Sequence, residues 1–149
     1  MAEISQKPIN EQFYDNQLVW NENIKQLTTK LKNIADIPEL QNLVYYSRQD
    51  AVDYYYALSA QYAAFVREYK IAYATTYNSL KSGSNGLRYT TEASINAQIE
   101  SILNEKKYVL DLYENHIAYM KDTIKSLDNI IYGINNRIEL EKLIQGVKF

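Results

Sequence analysis

The chain contains no cysteine. Disulfides, thiolate nucleophiles and cysteine-ligated zinc are therefore excluded. It has 1 histidine, His116, too few for a histidine-based metal site and a poor basis for a catalytic triad. Glycine numbers 4 and proline 2, so tight turns are scarce and an all-β fold with many hairpins is disfavoured. No apolar run approaches the roughly 20 residues that a membrane helix needs. The opening MAEISQKPINEQ has neither the basic leader nor the apolar core of a signal peptide. A cytoplasmic protein with no membrane partner is the expectation. Neither sign of charge dominates, with 16 Lys+Arg against 18 Asp+Glu and a net −2. Any nucleic-acid surface must then be local.

Catalytic signatures are missing too. The sequence holds no P-loop, G-x-G-x-x-G, H-E-x-x-H or G-x-S-x-G pattern. One histidine cannot supply the two Glu-x-x-His pairs of a di-iron bundle. Asp111 and Glu114 form a carboxylate pair with no cleft to argue for. The expectation is a protein that is not an enzyme and takes no cofactor and no metal.

What is present is a globular balance, 46% hydrophobic and 23% charged, with a marked excess of tyrosine. Tyr numbers 15, against Phe 3 and Trp 1. Periodicity predicts an all-α chain of three long helices, at about residues 10–35, 39–81 and 92–144, following a flexible N-terminus at 1–9. In the first, Phe13, Gln17, Trp20, Ile24, Leu27, Leu31 and Ile34 recur at steps of three and four, a heptad seam. Asn10 is the expected N-cap. Asp36 and Glu39 have capping-box spacing, and Pro38 suits a first helical turn. The second seam runs Val44, Ala51, Tyr55, Leu58, Tyr62, Phe65, Tyr69, Ala72 and Thr76, interrupted by Arg48. Ser82-Gly83-Ser84-Asn85-Gly86 is the strong breaker and predicts a loop over 82–91. Thr90 or Thr91 caps the third helix.

The third seam is Ile95, Ile99, Ile102, Lys106, Val109, Tyr113, then Ile117, Met120, Ile124, Leu127, Ile131, Ile134 and Ile138. The step of four from Tyr113 to Ile117 shifts the phase and predicts a stutter or break near Asn115-His116. His116 reads as a polar residue near the core rather than a catalytic group. Gly133 inside the pattern predicts a close contact or a kink, and Gly146 a helix stop. A 43-residue helix would be about 65 Å long, against a radius of gyration near 15 Å for a compact chain of this size. The expected architecture is thus an elongated antiparallel bundle of long helices, one or more of them broken, assembling into a homo-oligomer that buries its second seam.

One segment mixes cations with aromatics. Residues 67–91 carry Arg67, Lys70, Lys81 and Arg88 against Glu68 alone, a net of four minus one, or +3. Tyr73, Tyr77 and Tyr89 lie in the same stretch. Cations pair with phosphates and release counterions, and exposed rings stack on bases for roughly 1–3 kcal/mol each. The segment is a candidate single-stranded nucleic-acid surface. The alternative is that the neighbouring Tyr62 and Tyr69 are seam residues and the cations belong to a solvated face.

The C-terminal stretch LYENHIAYMKDTIKSLDNIIYGINNRIELEKLIQG, residues 112–146, resembles the end of the T4-type phage recombination mediators, the UvsY-like family. The likeness rests on Tyr113-Glu114, Tyr119, Ile134-Asn135-Asn136, Ile138-Glu139 and Ile144-Gln145-Gly146. The preceding residues 99–112, IESILNEKKYVLDL, resemble the family's helix leading into this end. Over the first 80 or so residues only the layout agrees. Where the family carries a Lys/Arg-rich motif before the glycine loop, this chain has Tyr73-Ala74-Thr75-Thr76-Tyr77-Asn78, without a cation.

The resemblance implies a non-enzymatic mediator that forms a ring-like homo-oligomer and binds single-stranded DNA. It would weaken the hold of the single-strand-binding protein and help load the recombinase. For a phage-encoded protein this happens in the host cytoplasm. Assembly would fall on the C-terminal helix, here Leu127, Ile131, Ile134, Ile138 and Leu143. Two other readings stay open: a structural or adaptor coiled-coil protein, such as a virion component, and a small helical enzyme or metal-binding bundle.

Overall fold

The computed structural model of the chain describes residues 7–83 and 91–146. Among these the protein is all-α, with no strand. The order is α1 (Ile9–Lys30), a 3-10 turn (Ile34–Asp36), α2 (Ile37–Ser82), α3 (Glu92–Ile102) and α4 (Asn104–Gly146).

The expected three long helices are therefore four, and the third breaks earlier than its pattern indicates. The break falls at Leu103, whose backbone leaves the helical region at φ −97°, ψ 12°. Leu103 is buried, and Ile102, expected in the seam, is 51% exposed. No break occurs at Asn115-His116, where α4 continues unbroken. A phase slip changes which side chains are buried and need not cost a backbone hydrogen bond.

Boundaries shift at the N-terminal end as well. Asn10 lies inside α1, whose N-cap is Pro8 with no side-chain cap bond. Helix α1 stops at Lys30 rather than near residue 35. Asn33 supplies the side-chain acceptor at the 3-10 turn, to the N–H of Ala35 at 3.2 Å. Pro38 stands in the first turn of α2 as expected. Gly83, at φ 69°, adopts the left-handed conformation that ends α2. The Thr91 hydroxyl accepts from the N–H of Ser94 at 3.1 Å and caps α3.

The chain divides into two compact units. The first takes residues 1–56 and 116–149, the second residues 57–115. In the first, Leu40, Val44 and Ala51 of α2 are fully buried with Met120 and Leu127 of α4. Along α4 one core column, Met120, Leu127 and Ile134, repeats every seven residues. The other column is His116, Thr123 and Ile130. It lies one residue before the expected Ile117, Ile124 and Ile131, which are half-buried. At the first two steps isoleucine is the more apolar choice beside His116 and Thr123, and that is why the pattern misleads. Gly133 marks a close contact, since a Cβ there would lie 2.9 Å from Leu31 Cδ2. Arg48, the interruption in the second seam, donates from Nε to Asp128 of α4 at 2.6 Å.

The second unit is built on Leu80 of α2, Ile95 and Ile99 of α3, and Leu103. Tyr69, Tyr73 and Tyr77 pack against that cluster. The hydroxyl of Tyr62 donates to Glu114, and that of Tyr113 to Gln61 at 3.1 Å.

Candidate nucleic-acid interface

Of the seven residues assigned to nucleic-acid binding, Arg67, Lys70 and Lys81 are exposed on α2. Helix geometry sets them within about 60° of one another and along about 21 Å of axis. None of the three makes an ion pair with a carboxylate among the described residues. Glu68, one residue from Arg67, points about 100° away around the same helix.

Tyr73 and Tyr77 sit at the edge of this stripe, half-buried. Their hydroxyls are committed to α3. Tyr73 donates to Asn96 Oδ1 at 2.8 Å and Tyr77 to Glu92 Oε1 at 2.7 Å. The Glu92 carboxylate, by accepting that proton, raises the Tyr77 phenol above its ordinary range. Lys81 Nζ lies 5.6 Å from the centre of the Tyr77 ring, within cation–π range. Both side chains also pack against the cluster of Leu80, Ile95, Ile99 and Leu103. Arg88 and Tyr89 fall outside the described residues.

The residues assigned to assembly separate into three groups. Leu127 and Ile134 are buried in the chain's own core. Ile131 and Ile138 are half-buried. Leu143 is 65% exposed, next to Ile144 at 58%.

A second cluster of chemistry-bearing side chains surrounds His116, which is only 1% exposed. Its ring stacks on Phe13 of α1 at 4.2 Å and on Tyr119 at 6.0 Å, and meets the Tyr54 ring edge-on at 5.6 Å. Gln17 Nε2 lies 3.4 Å from Nδ1, and the Tyr54 hydroxyl 2.9 Å from Nε2. The amide nitrogen of Gln17 can only donate, so with that nitrogen facing the ring Nδ1 accepts and Nε2 carries the proton. Desolvation lowers the His116 pKa from 6.5 to about 4. The imidazole is thus neutral near pH 7, closed to solvent and packed among aromatic rings.

Sequence reasoning missed a small cleft lined by Phe65, Glu68 and Tyr69 of α2 and Glu105, Lys106 and Val109 of α4. Phe65, Tyr69, Lys106 and Val109 lie on the seams, but only the fold joins them. Among the described residues, no group of three or more His, Asp or Glu comes together to hold a metal ion, and no helix is long and apolar enough to cross a membrane. Compared with family models, curated proteins and solved structures, the chain finds no match.

Proposed function

We propose that this chain is a recombination mediator of the UvsY-like type. In this reading it is a non-enzymatic homo-oligomer that binds single-stranded DNA. It promotes loading of a recombinase over the single-strand-binding protein. The observation that carries the DNA-binding part is the stripe of Arg67, Lys70 and Lys81, exposed on one face of α2 and unneutralised among the described residues. Such a stripe tracks a phosphate backbone without reading sequence. The mediator part is supported by the likeness of residues 112–146.

Three cations per subunit give a weak contact. Several subunits on one strand convert weak contacts into avidity. Assembly in this reading uses the far end of α4, where Leu140, Leu143 and Ile144 are 52%, 65% and 58% exposed. Those same three residues favour the second reading, a structural or adaptor coiled-coil protein that assembles without DNA.

The test is fluorescence anisotropy of a labelled oligothymidylate, titrated with the protein at low and moderate salt. Tight, salt-sensitive binding is the expected result. Absence of binding at low salt would discard the mediator reading in favour of the structural one.

A further inference from the structure

The cleft between α2 and α4 in the second unit has the dimensions and chemistry of a receptor for one side chain. Its volume is about 190 Å³, below the roughly 300–1,000 Å³ of sites that hold whole small molecules. Phe65 and Tyr69, one turn apart on α2, supply aromatic surface. Phe65 is 39% exposed and rests on the Tyr113 ring at 5.2 Å, which holds it in place. Val109 adds an apolar wall, and Glu68 and Glu105 bring carboxylates from opposite helices. Neither carboxylate is in an ion pair among the described residues. Lys106 also lines the cleft, so two acids against one base leave it net negative.

We propose that this cleft takes an arginine side chain from a basic segment of a protein partner. A planar guanidinium can stack on the face of an aromatic ring while its fork of donors meets carboxylates, a combination an ammonium cannot match. Its alkyl stem suits the apolar wall. A nucleobase is the poorer occupant, because the phosphates carried with it would approach Glu68 and Glu105. The proposal is independent of DNA binding by the stripe on α2, which faces elsewhere on the helix.

The test uses the full chain and a fluorescein-labelled tetra-arginine peptide, with tetra-lysine as comparison, read by anisotropy. The Glu68→Gln/Glu105→Gln double variant should weaken arginine-peptide binding at least tenfold. A charge-matched control, Asp50→Asn/Asp53→Asn, should change it less than twofold. Wild type should prefer the arginine peptide over the lysine one. Equal losses in both variants would reduce the effect to net charge and overturn the site. So would a peptide that fails to bind wild type, or no preference for arginine. Tighter oligothymidylate binding by the Gln/Gln variant, with no peptide binding, would reassign the cleft to nucleic acid. Because both variants leave Arg67, Lys70 and Lys81 in place, the peptide result is independent of whether DNA binds.

Discussion

Phe13 and His116 stack face to face, ring centroids 4.2 Å apart and planes 15° from parallel. The stack joins α1 to α4 through the one histidine in the sequence, a side chain whose ordinary pKa lies near neutrality. Burial keeps the imidazole neutral, and its ring and hydrogen-bond partners among the described residues are uncharged: Phe13 and Gln17 on α1, Tyr54 on α2, Tyr119 on α4.

That arrangement sets a pH dependence. The folded pKa, about 4, is below the unfolded 6.5, so between those values the unfolded chain binds the extra proton. Stability is full above pH 6.5 and falls as the pH drops toward 4, by on the order of 3 kcal/mol from this group. Urea unfolding at pH 7.5, 5.5 and 4.5 measures it. His116→Gln should be less stable at pH 7.5 but show a shallower loss across the same range. Parallel curves would show that His116 does not carry this part of the acid sensitivity.

Gly133 offers a second test. Alanine there gains about 1 kcal/mol of helix propensity but sets its Cβ 2.9 Å from Leu31 Cδ2. The obstacle is the end of a flexible side chain, so Leu31 gives way at a cost comparable to the gain. Gly133→Ala should stay within about 1 kcal/mol of wild type, whereas Gly133→Leu should lose about 2 kcal/mol or more to overpacking. Thermal unfolding of both variants decides, and equal stability of the two would contradict the close contact.

Position on α4 should separate folding from association. Leu127→Ala opens a cavity at a fully buried site and should cost about 2–5 kcal/mol. Leu143 is 65% exposed, so Leu143→Ala should change chain stability by less than about 0.5 kcal/mol while weakening any oligomer. Denaturant titration and light scattering on the same samples read the two effects separately. An oligomer unchanged by alanine at Leu140, Leu143 and Ile144 together would move the assembly surface away from this end.

For the basic stripe, Arg67, Lys70 and Lys81 replaced together by alanine should lower oligothymidylate affinity. The slope of log K against log salt should flatten by about 2, at roughly 0.7 for each phosphate no longer neutralised on a single strand. Because all three side chains are exposed, far-UV circular dichroism should not change. A retained slope would place DNA contacts elsewhere on the chain.

The fold class was legible because heptad spacing and the shortage of Gly and Pro act locally on the backbone. A threonine cap at 90 or 91, a helix end at the cluster that begins Ser82-Gly83, and a contact or kink at Gly133 could be read for the same reason: each follows from properties of single residue types. The break at Leu103 could not, since no breaker residue marks it. The second core column on α4 was misread because His116 and Thr123 hold core positions beside more apolar isoleucines. Their burial depends on partners distant in sequence, Phe13 and Tyr54 for the histidine. The stripe on α2 needed only helical geometry. The cleft at Phe65 and Glu105 required knowing that α2 and α4 meet there, which no local pattern reports.

Helix α1 has 22 residues yet buries only Phe13 and Leu27. The side-chain carbonyls of Asn16 and Asn23 are buried with no hydrogen-bond partner among the described residues. Its attachment is therefore shallow compared with that of α4, which buries a larger share of its residues. In native-state hydrogen exchange, the amides of α1 should open well below the global unfolding free energy. Of the long helices, a protease acting on the folded protein would then cut α1, residues 9–30, before α4.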